Sequence, residues 1–382
     1  MELLFGIVVG LAILVFLVVI HELGHAIAAK RNGVVVEEFG IGFPPKAWGK
    51  KLKNGVLFTV NWLPLGGFVK LQGEHDSARK KGDYGAATFW QKTKILLAGV
   101  AINWIAAAIL LTILAVTGLP KVFPNQFSVA GDTTNVREPV RLAYIEKDSA
   151  ADKAGLKEGD KIVRFAGRSI DQPLALSQAT ADSKGKSVEI IYNRDGNEQS
   201  ATVSLRDNDN DGKGYLGVTP AQMELTRSTW SAPIVGVAVT GQFTIETFKG
   251  LGALVGNLVT GLTSQLSGDK AVREQGSKEL GAAGDSVAGP IGIIGVIFPA
   301  AQQSGPTQLV LLTAIISLTL AVMNVLPIPA LDGGRWFTMA AFRLFKKKLT
   351  KEREENIQAV GFLALMALVV VVTFADVSKL FR

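Results

Sequence analysis

Two of the chain's three histidines stand four residues apart in His21-Glu22-Leu23-Gly24-His25, at the end of an apolar run. On a helix this spacing puts both imidazoles on one face, about one turn apart, where they can reach a single metal ion. Glu22 lies one position round, beside such an ion but free to accept a proton from water. The chemistry on offer is metal-assisted hydrolysis. Cysteine is absent, so a metal here must use imidazole and carboxylate. An accidental match would leave both histidines as packed or backbone-bonded residues. Ionisable groups are costly inside an apolar segment and are usually there for function, which favours the metal.

A catalytic zinc takes three protein ligands and keeps a fourth position open, so a third ligand is owed. His75 is one candidate, although it sits among Glu74, Asp76, Ser77 and Arg79 in a hydrophilic stretch that suits a solvated surface histidine. Asp332 is the other. It follows Asn324-Val325-Leu326-Pro327-Ile328-Pro329-Ala330-Leu331 and precedes Gly333-Gly334. The two prolines break an apolar run and free backbone groups, which must then be buried in protein or line a cavity. An aspartate at that break, at the depth of the histidines, is well placed to complete the site. Taken alone, Asp332-Gly333 also reads as a turn that ends a helix.

The elements that must position these residues are membrane spans. Of 382 residues 48% are hydrophobic and 19% charged, and the charges concentrate between apolar runs. Four runs have spanning length: Leu3 to Ile20, Ile95 to Leu119, Leu309 to Leu326, and Ile357 to Phe374. The first lacks a basic leader and a small-residue cleavage site, so it reads as a retained span. The loop after it and the stretch from Arg335 to Arg353 are rich in Lys and Arg, which places both in the cytoplasm. Residues 121 to 229 mix acids and bases and suit an external domain. Ile234 to Leu262 is apolar but carries Gln242, Glu246 and Lys249. Were it to cross, Asp332 would end opposite the histidines, so it reads as an interfacial amphipathic or re-entrant helix. The expected division is 1–120, 121–229, 230–306 and 307–382. The net charge of +7 comes without an aromatic-interleaved basic motif, so it implies contact with lipid headgroups and excludes nucleic acid as a partner.

Two smaller regions carry strand signals. Residues 55 to 71 are rich in β-branched and aromatic side chains around Leu63-Pro64-Leu65-Gly66-Gly67, which predicts a hairpin with an edge-like strand. Between Arg141 and Val218, strand-like runs at Leu142 to Ile145, Lys161 to Phe165, Val188 to Tyr192 and Ala201 to Leu205 surround a helix candidate from Pro173 to Ala181.

His21-Glu22-Leu23-Gly24-His25 and Asn324 to Gly334, in this order, resemble the two signature motifs of the site-2 protease family of intramembrane zinc metalloproteases. The resemblance extends to Phe39-Gly40-Ile41-Gly42-Phe43, to Leu63 through Lys70 and to Gly289-Pro290-Ile291-Gly292. One departure is Ala98-Gly99-Val100-Ala101-Ile102-Asn103, where many relatives have proline at the position of Val100. The layout is similar to the bacterial branch that cleaves anti-sigma factors and remnant signal peptides in the inner (cytoplasmic) membrane. The resemblance implies a Zn2+ enzyme with His21, His25 and Asp332 as ligands, Glu22 as general base and the active site toward the cytoplasmic side. It also implies that Asn324 binds substrate backbone, and that the strand containing Leu65, Gly66, Gly67, Phe68 and Val69 pairs with unwound single-span membrane substrates.

The external region resembles a PDZ module in Asp148 through Ile162, with Tyr215-Leu216-Gly217-Val218 as a later strand. Such a module implies either a peptide ligand or a bulk filter on substrates. The expected fold is thus a polytopic α-helical membrane protein of about four spans, with a membrane-associated β-hairpin and an α+β PDZ-like domain. The rival reading is a catalytically inactive membrane scaffold that binds peptides through that domain. The complete set of two histidines, glutamate and aspartate argues against it.

Overall fold

The apolar run ahead of His21 does not end there: α1 extends from Glu2 to Arg31 without a break, so the histidine pair rides on the same rigid helix as the span. In the computed structural model, residues 2–380 are described apart from 195, 209–211, 213 and 286. The chain forms two compact units, Met1–Leu114 with Ala232–Arg382, and Ala115–Ser231.

In the first unit α1 is followed by β1 (Val36–Lys51) and β2 (Leu57–Leu71). Both strands fold back on themselves. Residues 36–41 of β1 pair on one side with 67–71 and on the other with 57–60, while 46–51 pair with 57–61. The two strands therefore make four segments in the order 67–71, 36–41, 57–60, 46–51, the central pair 36–41 and 57–60 parallel and the two outer pairs antiparallel, with 67–71 at an edge. The bends need glycine. Gly42 (φ +78°) and Gly66 (φ +94°) hold a left-handed backbone, and a Cβ would lie 2.5 Å from the Leu63 carbonyl oxygen and 2.4 Å from the Phe43 ring.

A loop leads to α2 (Phe89–Thr117). Gly24 of α1 packs on α2 so closely that a Cβ would stand 2.8 Å from the Ala98 carbonyl oxygen. Such small-residue contacts are how helices approach each other in lipid. Below this seam Ala29, Val34, Leu71, Tyr84, Ile95, Leu96 and Met339 form a shared core.

The second unit holds β3 (Leu119–Pro120), β4 (Thr134–Arg137), β5 (Arg141–Ile145), α3 (Ala150–Lys153), β6 (Lys161–Phe165), β7 (Arg168–Ser169), α4 (Pro173–Asp182), β8 (Ser187–Arg194), β9 (Asn197–Ser204), β10 (Val218–Ala221) and β11 (Glu224–Arg227). Its main sheet runs β10-β5-β6-β8-β9, with β7 on β6, and β3-β11-β4 form a smaller sheet. Leu142, Ile162, Phe165, Leu176, Ile190 and Val203 fill the core between sheet and helix. The later strand starts at Val218, at the end of the Tyr215 to Val218 run expected to form it.

The chain returns to the first unit through α5 (Ala232–Gln265), α6 (Lys270–Asp285), α7 (Pro290–Gly292), a π-helical turn at Ile293–Ile297, α8 (Phe298–Gln303), α9 (Pro306–Val325), α10 (Asp332–Leu344) and α11 (Lys351–Leu380). The stretch 234–262 lies within α5. After Pro233 that stretch has no helix-breaking proline, and it forms one unbroken helix against which α6 folds back, closest at Gly261 and Gly276. Among the described residues, Pro290–Gln303 is an apolar helical stretch too short to span. It packs on α1, where a Cβ at Gly6 or Gly10 would lie 2.6 Å from Pro299 or 2.5 Å from Phe298. Among the described residues, four helices, α1, α2, α9 and α11, are long and apolar enough to cross a membrane. Leu4 and Phe16 of α1 and Val370 and Phe374 of α11 are exposed, as suits side chains facing lipid.

Candidate metal centre

His21 and His25 are buried, and their rings meet edge to face with centroids 4.8 Å apart. Their Nε2 atoms are 3.2 Å apart, and each is 3.1 Å from Oδ2 of Asp332, which is 311 residues from His21 in sequence. Tetrahedral ligation at about 2.1 Å puts ligand atoms about 3.4 Å apart, so the three donors already have the spacing of one zinc shell. Among the described residues, His21, His25 and Asp332 form the one group of three or more His, Asp or Glu able to hold a metal.

Each donor is aimed by its neighbours. His25 Nδ1 donates to the Ile95 carbonyl of α2 at 2.8 Å, which fixes the tautomer with a bare Nε2. His21 Nδ1 faces the Asn103 carboxamide at 3.3 Å. Gly99 leaves the space between α2 and the histidines open, since a Cβ there would stand 2.6 Å from both Nε2 atoms.

Asp332 is the first residue of α10, not the end of a turn. Helix α9 stops at Val325 because Leu326 turns extended ahead of Pro327, and Ala330 takes a positive φ of 75°. The chain then doubles back so tightly that a Cβ at Gly333 or Gly334 would lie 2.3 Å from the Val325 or 1.9 Å from the Ile328 carbonyl oxygen. Gln358 of α11 pins the loop by accepting from the Ala330 amide at 2.6 Å.

One turn further along α10, Arg335 pairs with Glu74 at 2.9 Å and Glu354 at 3.2 Å and lies over the Tyr84 ring at 4.8 Å. Glu354 also accepts from the Asp76 amide at 2.8 Å. This network ties the loop, α10 and α11 together at the mouth of the site. Burial alone would lower the Arg335 guanidinium, but Tyr84, Glu74 and Glu354 around it hold it above its ordinary value. Burial pushes the Tyr84 phenol well up.

A cleft of about 780 Å³ contains Glu22, His25 and Asp332, and Gly67, Phe68 and Val69 line it. The edge segment of the sheet thus faces the metal site. Gly67 lies directly over Glu22, with a Cβ position 3.2 Å from the Glu22 Cγ. Gly66 sits at the bend before this segment, and the Leu65 side chain lies outside the described residues. Asn324, in the last turn of α9, donates to the Leu320 carbonyl at 3.0 Å and is not among the cleft's lining residues. His75 lines the cleft mouth 3.6 Å from Glu355, apart from the ligand group.

Sequence reasoning passed over Asn103 and Gly99 as site residues. The available signal was an amide and a glycine in an apolar span, at positions where only neighbouring side chains can satisfy or fill them.

The family model for peptidase family M50 matches residues 9–368. A candidate zinc metalloprotease of Clostridium acetobutylicum is 30% identical over 98% of this chain and 97% of its own length. The zinc metalloprotease RasP of Geobacillus kaustophilus is 26% identical over 96% of both chains. The regulator of sigma-W protease RasP of Bacillus subtilis is 25% identical, again over 96% of both. Among solved structures, the PDZ domain of an SdrC-like protein from Listeria monocytogenes matches 25% of this chain and 94% of its own, at 22% identity and a TM-score of 0.20.

Proposed function

We propose, from the premise that this chain belongs to peptidase family M50, that His21, His25 and Asp332 hold its zinc and that Glu22 is its general base. The chain is an intramembrane zinc metalloprotease. The observation that carries the residue assignment is the convergence of two imidazole nitrogens and one carboxylate oxygen within 3.1 to 3.2 Å, in the cleft that also holds Glu22.

When bound, zinc supplies Lewis-acid polarisation of the scissile carbonyl and a nucleophile at neutral pH. Glu22, on the helix that carries both histidines and one position round, takes the proton released by the attacking water and hands it to the departing amine. A carbonyl tied up in a helix cannot be attacked, so the substrate must unwind. The edge segment 67–71 offers its free main-chain groups to an extended chain, and Phe68 and Val69 would lay that chain past Glu22. Asn324 donates one of its two amide hydrogens to Leu320 and would bind substrate backbone through the other or through its carbonyl oxygen.

The substrates on this reading are single-span membrane proteins, including the anti-sigma factors on which a regulator of a sigma factor would act. The active site faces the cytoplasm, as the basic stretches around 46–53 and 343–353 support. The unit Ala115–Ser231 is external and PDZ-like, its β10 paired on one side with β5 and open on the other to a peptide strand. Incubating purified protein with a single-span substrate, with and without a zinc chelator, tests the reading. Cleavage that survives full removal of zinc would end it.

A further inference from the structure

We propose that the groove between α1 and the β1–β2 sheet, on the back of the helix that carries both histidines, binds an anionic phospholipid, with an acyl chain along the groove and the phosphate headgroup at Lys30. The site stands apart from the metal cleft and holds whether or not His21 and His25 bind zinc.

Val19, Leu23 and Ile27 make one stripe of α1 at a spacing of four, and Lys30 continues it at the helix end. Each of the three apolar residues stands two positions from His21 or His25, about 200° round the helix, so the stripe faces away from the histidines. Across from it stand Phe39 and Phe58 of the sheet and Leu52 of its turn. The two walls enclose about 700 Å³, a volume within the range of small-molecule sites. Leu23, Ile27 and Leu52 are exposed, so no part of the described chain covers them. No acid lines the groove, and its polar side chains are Lys30 and Asn54.

Depth and charge select the occupant. The groove follows the last three or so turns of a helix long and apolar enough to span, and it ends at the basic pair Lys30-Arg31. Its apolar length thus lies at the level of lipid chains and its mouth at the level of headgroups, to which a lysine on an apolar stem extends. Lys51 and Lys53 flank Leu52 at the same mouth. Among the described residues Lys30, Arg31, Lys51 and Lys53 form no ion pair. Trp48 is exposed and meets Phe58 edge to face at 6.3 Å, an aromatic of the kind that sits at the headgroup level. Unpaired cations around the mouth of a hydrocarbon-lined groove match one chemistry, a hydrocarbon tail with an anionic head. A neutral lipid would fill the groove and leave the cations without a counter-charge. Basic pockets beside spanning helices on the cytoplasmic side are where anionic headgroups bind, and that side is the one proposed for these lysines.

The test uses the full chain in phosphatidylcholine vesicles. The chain has no cysteine, so Asn54→Cys at the rim of the groove takes a single fluorescent label. Phosphatidylglycerol and phosphatidylcholine with the same nitroxide-bearing acyl chain are compared as quenchers. Phosphatidylglycerol should reach half-quenching at a mole fraction at least about 5-fold lower, the worth of one lysine at a lipid surface. With the same label, Lys30→Gln should lower that preference about 5-fold. Lys348→Gln, in the basic stretch after α10, should keep it. Ile27→Trp fills the groove and should bring quenching by phosphatidylglycerol down to the phosphatidylcholine level. Inorganic phosphate at constant ionic strength should displace nothing. Equal quenching by the two lipids, or an equal loss in Lys348→Gln and Lys30→Gln, would overturn the site in favour of a diffuse surface field. Displacement by phosphate would reduce it to a site for free anions, and full quenching in Ile27→Trp would put the lipid outside the groove; either overturns it. Quenching by neither lipid would show that protein fills the groove, a substrate helix or a second copy, and would overturn it as well.

Discussion

Gly99 and His21 stand so close that a Cβ built on the glycine would meet the histidine Nε2 at 2.6 Å, and it would meet that of His25 at the same distance. The helix-to-helix seam between α1 and α2 is thus the wall of the candidate metal centre. Gly99→Ala should displace both imidazoles and lower zinc affinity by at least about 10-fold, as expected when the support of a ligand is disturbed. Chelator competition checks it. An alanine variant with unchanged affinity would mean that the wall can give way without moving the ligands.

One zinc per chain is expected, because the three donors converge on one point. Elemental analysis should give near-unit stoichiometry in wild type and a sharp fall in His21→Ala, His25→Ala and Asp332→Ala. Zinc binds the folded site and not the unfolded chain. Saturating metal at about 100 times its dissociation constant should therefore add about 2.7 kcal/mol of stability, seen as a raised Tm that chelator abolishes. Full zinc content in Asp332→Ala would take that residue out of the ligand set.

Glu22→Gln preserves size and hydrogen bonding but cannot accept the proton of water. Turnover of a single-span substrate should fall by about 100- to 10,000-fold while zinc content holds, the range over which a missing acid–base group is felt. Turnover within a few-fold of wild type would show that proton transfer does not pass through Glu22.

Reporters fused after residue 80 and after residue 350 should lie in the cytoplasm, and one within 180 to 208 outside, because of the basic stretches beside α1 and α10. An internal reporter within 180 to 208 would reverse the assignment of the PDZ-like unit to the outer side.

What could be read from the sequence was what is local or periodic. The histidine pair is a helical repeat of four, and the four spans appear as apolar runs inside α1, α2, α9 and α11. Within Ala115–Ser231, Lys161 to Phe165 coincides with β6, and Pro173 to Ala181 lies within α4. What escaped depends on tertiary contact. The Pro327 and Pro329 break signalled that Asp332 was unusual, but Asp332-Gly333-Gly334 reads locally as a stop. It starts α10 because the glycines let the chain pass against the Val325 and Ile328 carbonyls. The expected hairpin became four sheet segments because β1 and β2 each bend midway, and no period of two reveals which half pairs with which. Asn103 was overlooked because its partner is 82 residues away.

Residues 67–71 pair with β1 on one side only, and Phe68 and Val69 line the cleft with Glu22, so a substrate strand should bind at their free edge. Successive residues of a strand direct their amides to opposite sides. One of the two therefore donates into β1 and the other toward the open edge. Proline deletes the amide donor and cannot continue a ladder. Phe68→Pro and Val69→Pro should both impair cleavage, while the one facing the open edge should leave β1 pairing, zinc content and membrane insertion unchanged. Val69→Ile keeps the backbone and β-branching and should be nearly silent. The measurement is the cleavage rate of one single-span substrate across the three variants, beside their zinc content. Proline variants as active as Val69→Ile would show that substrate reaches Glu22 without pairing to this strand.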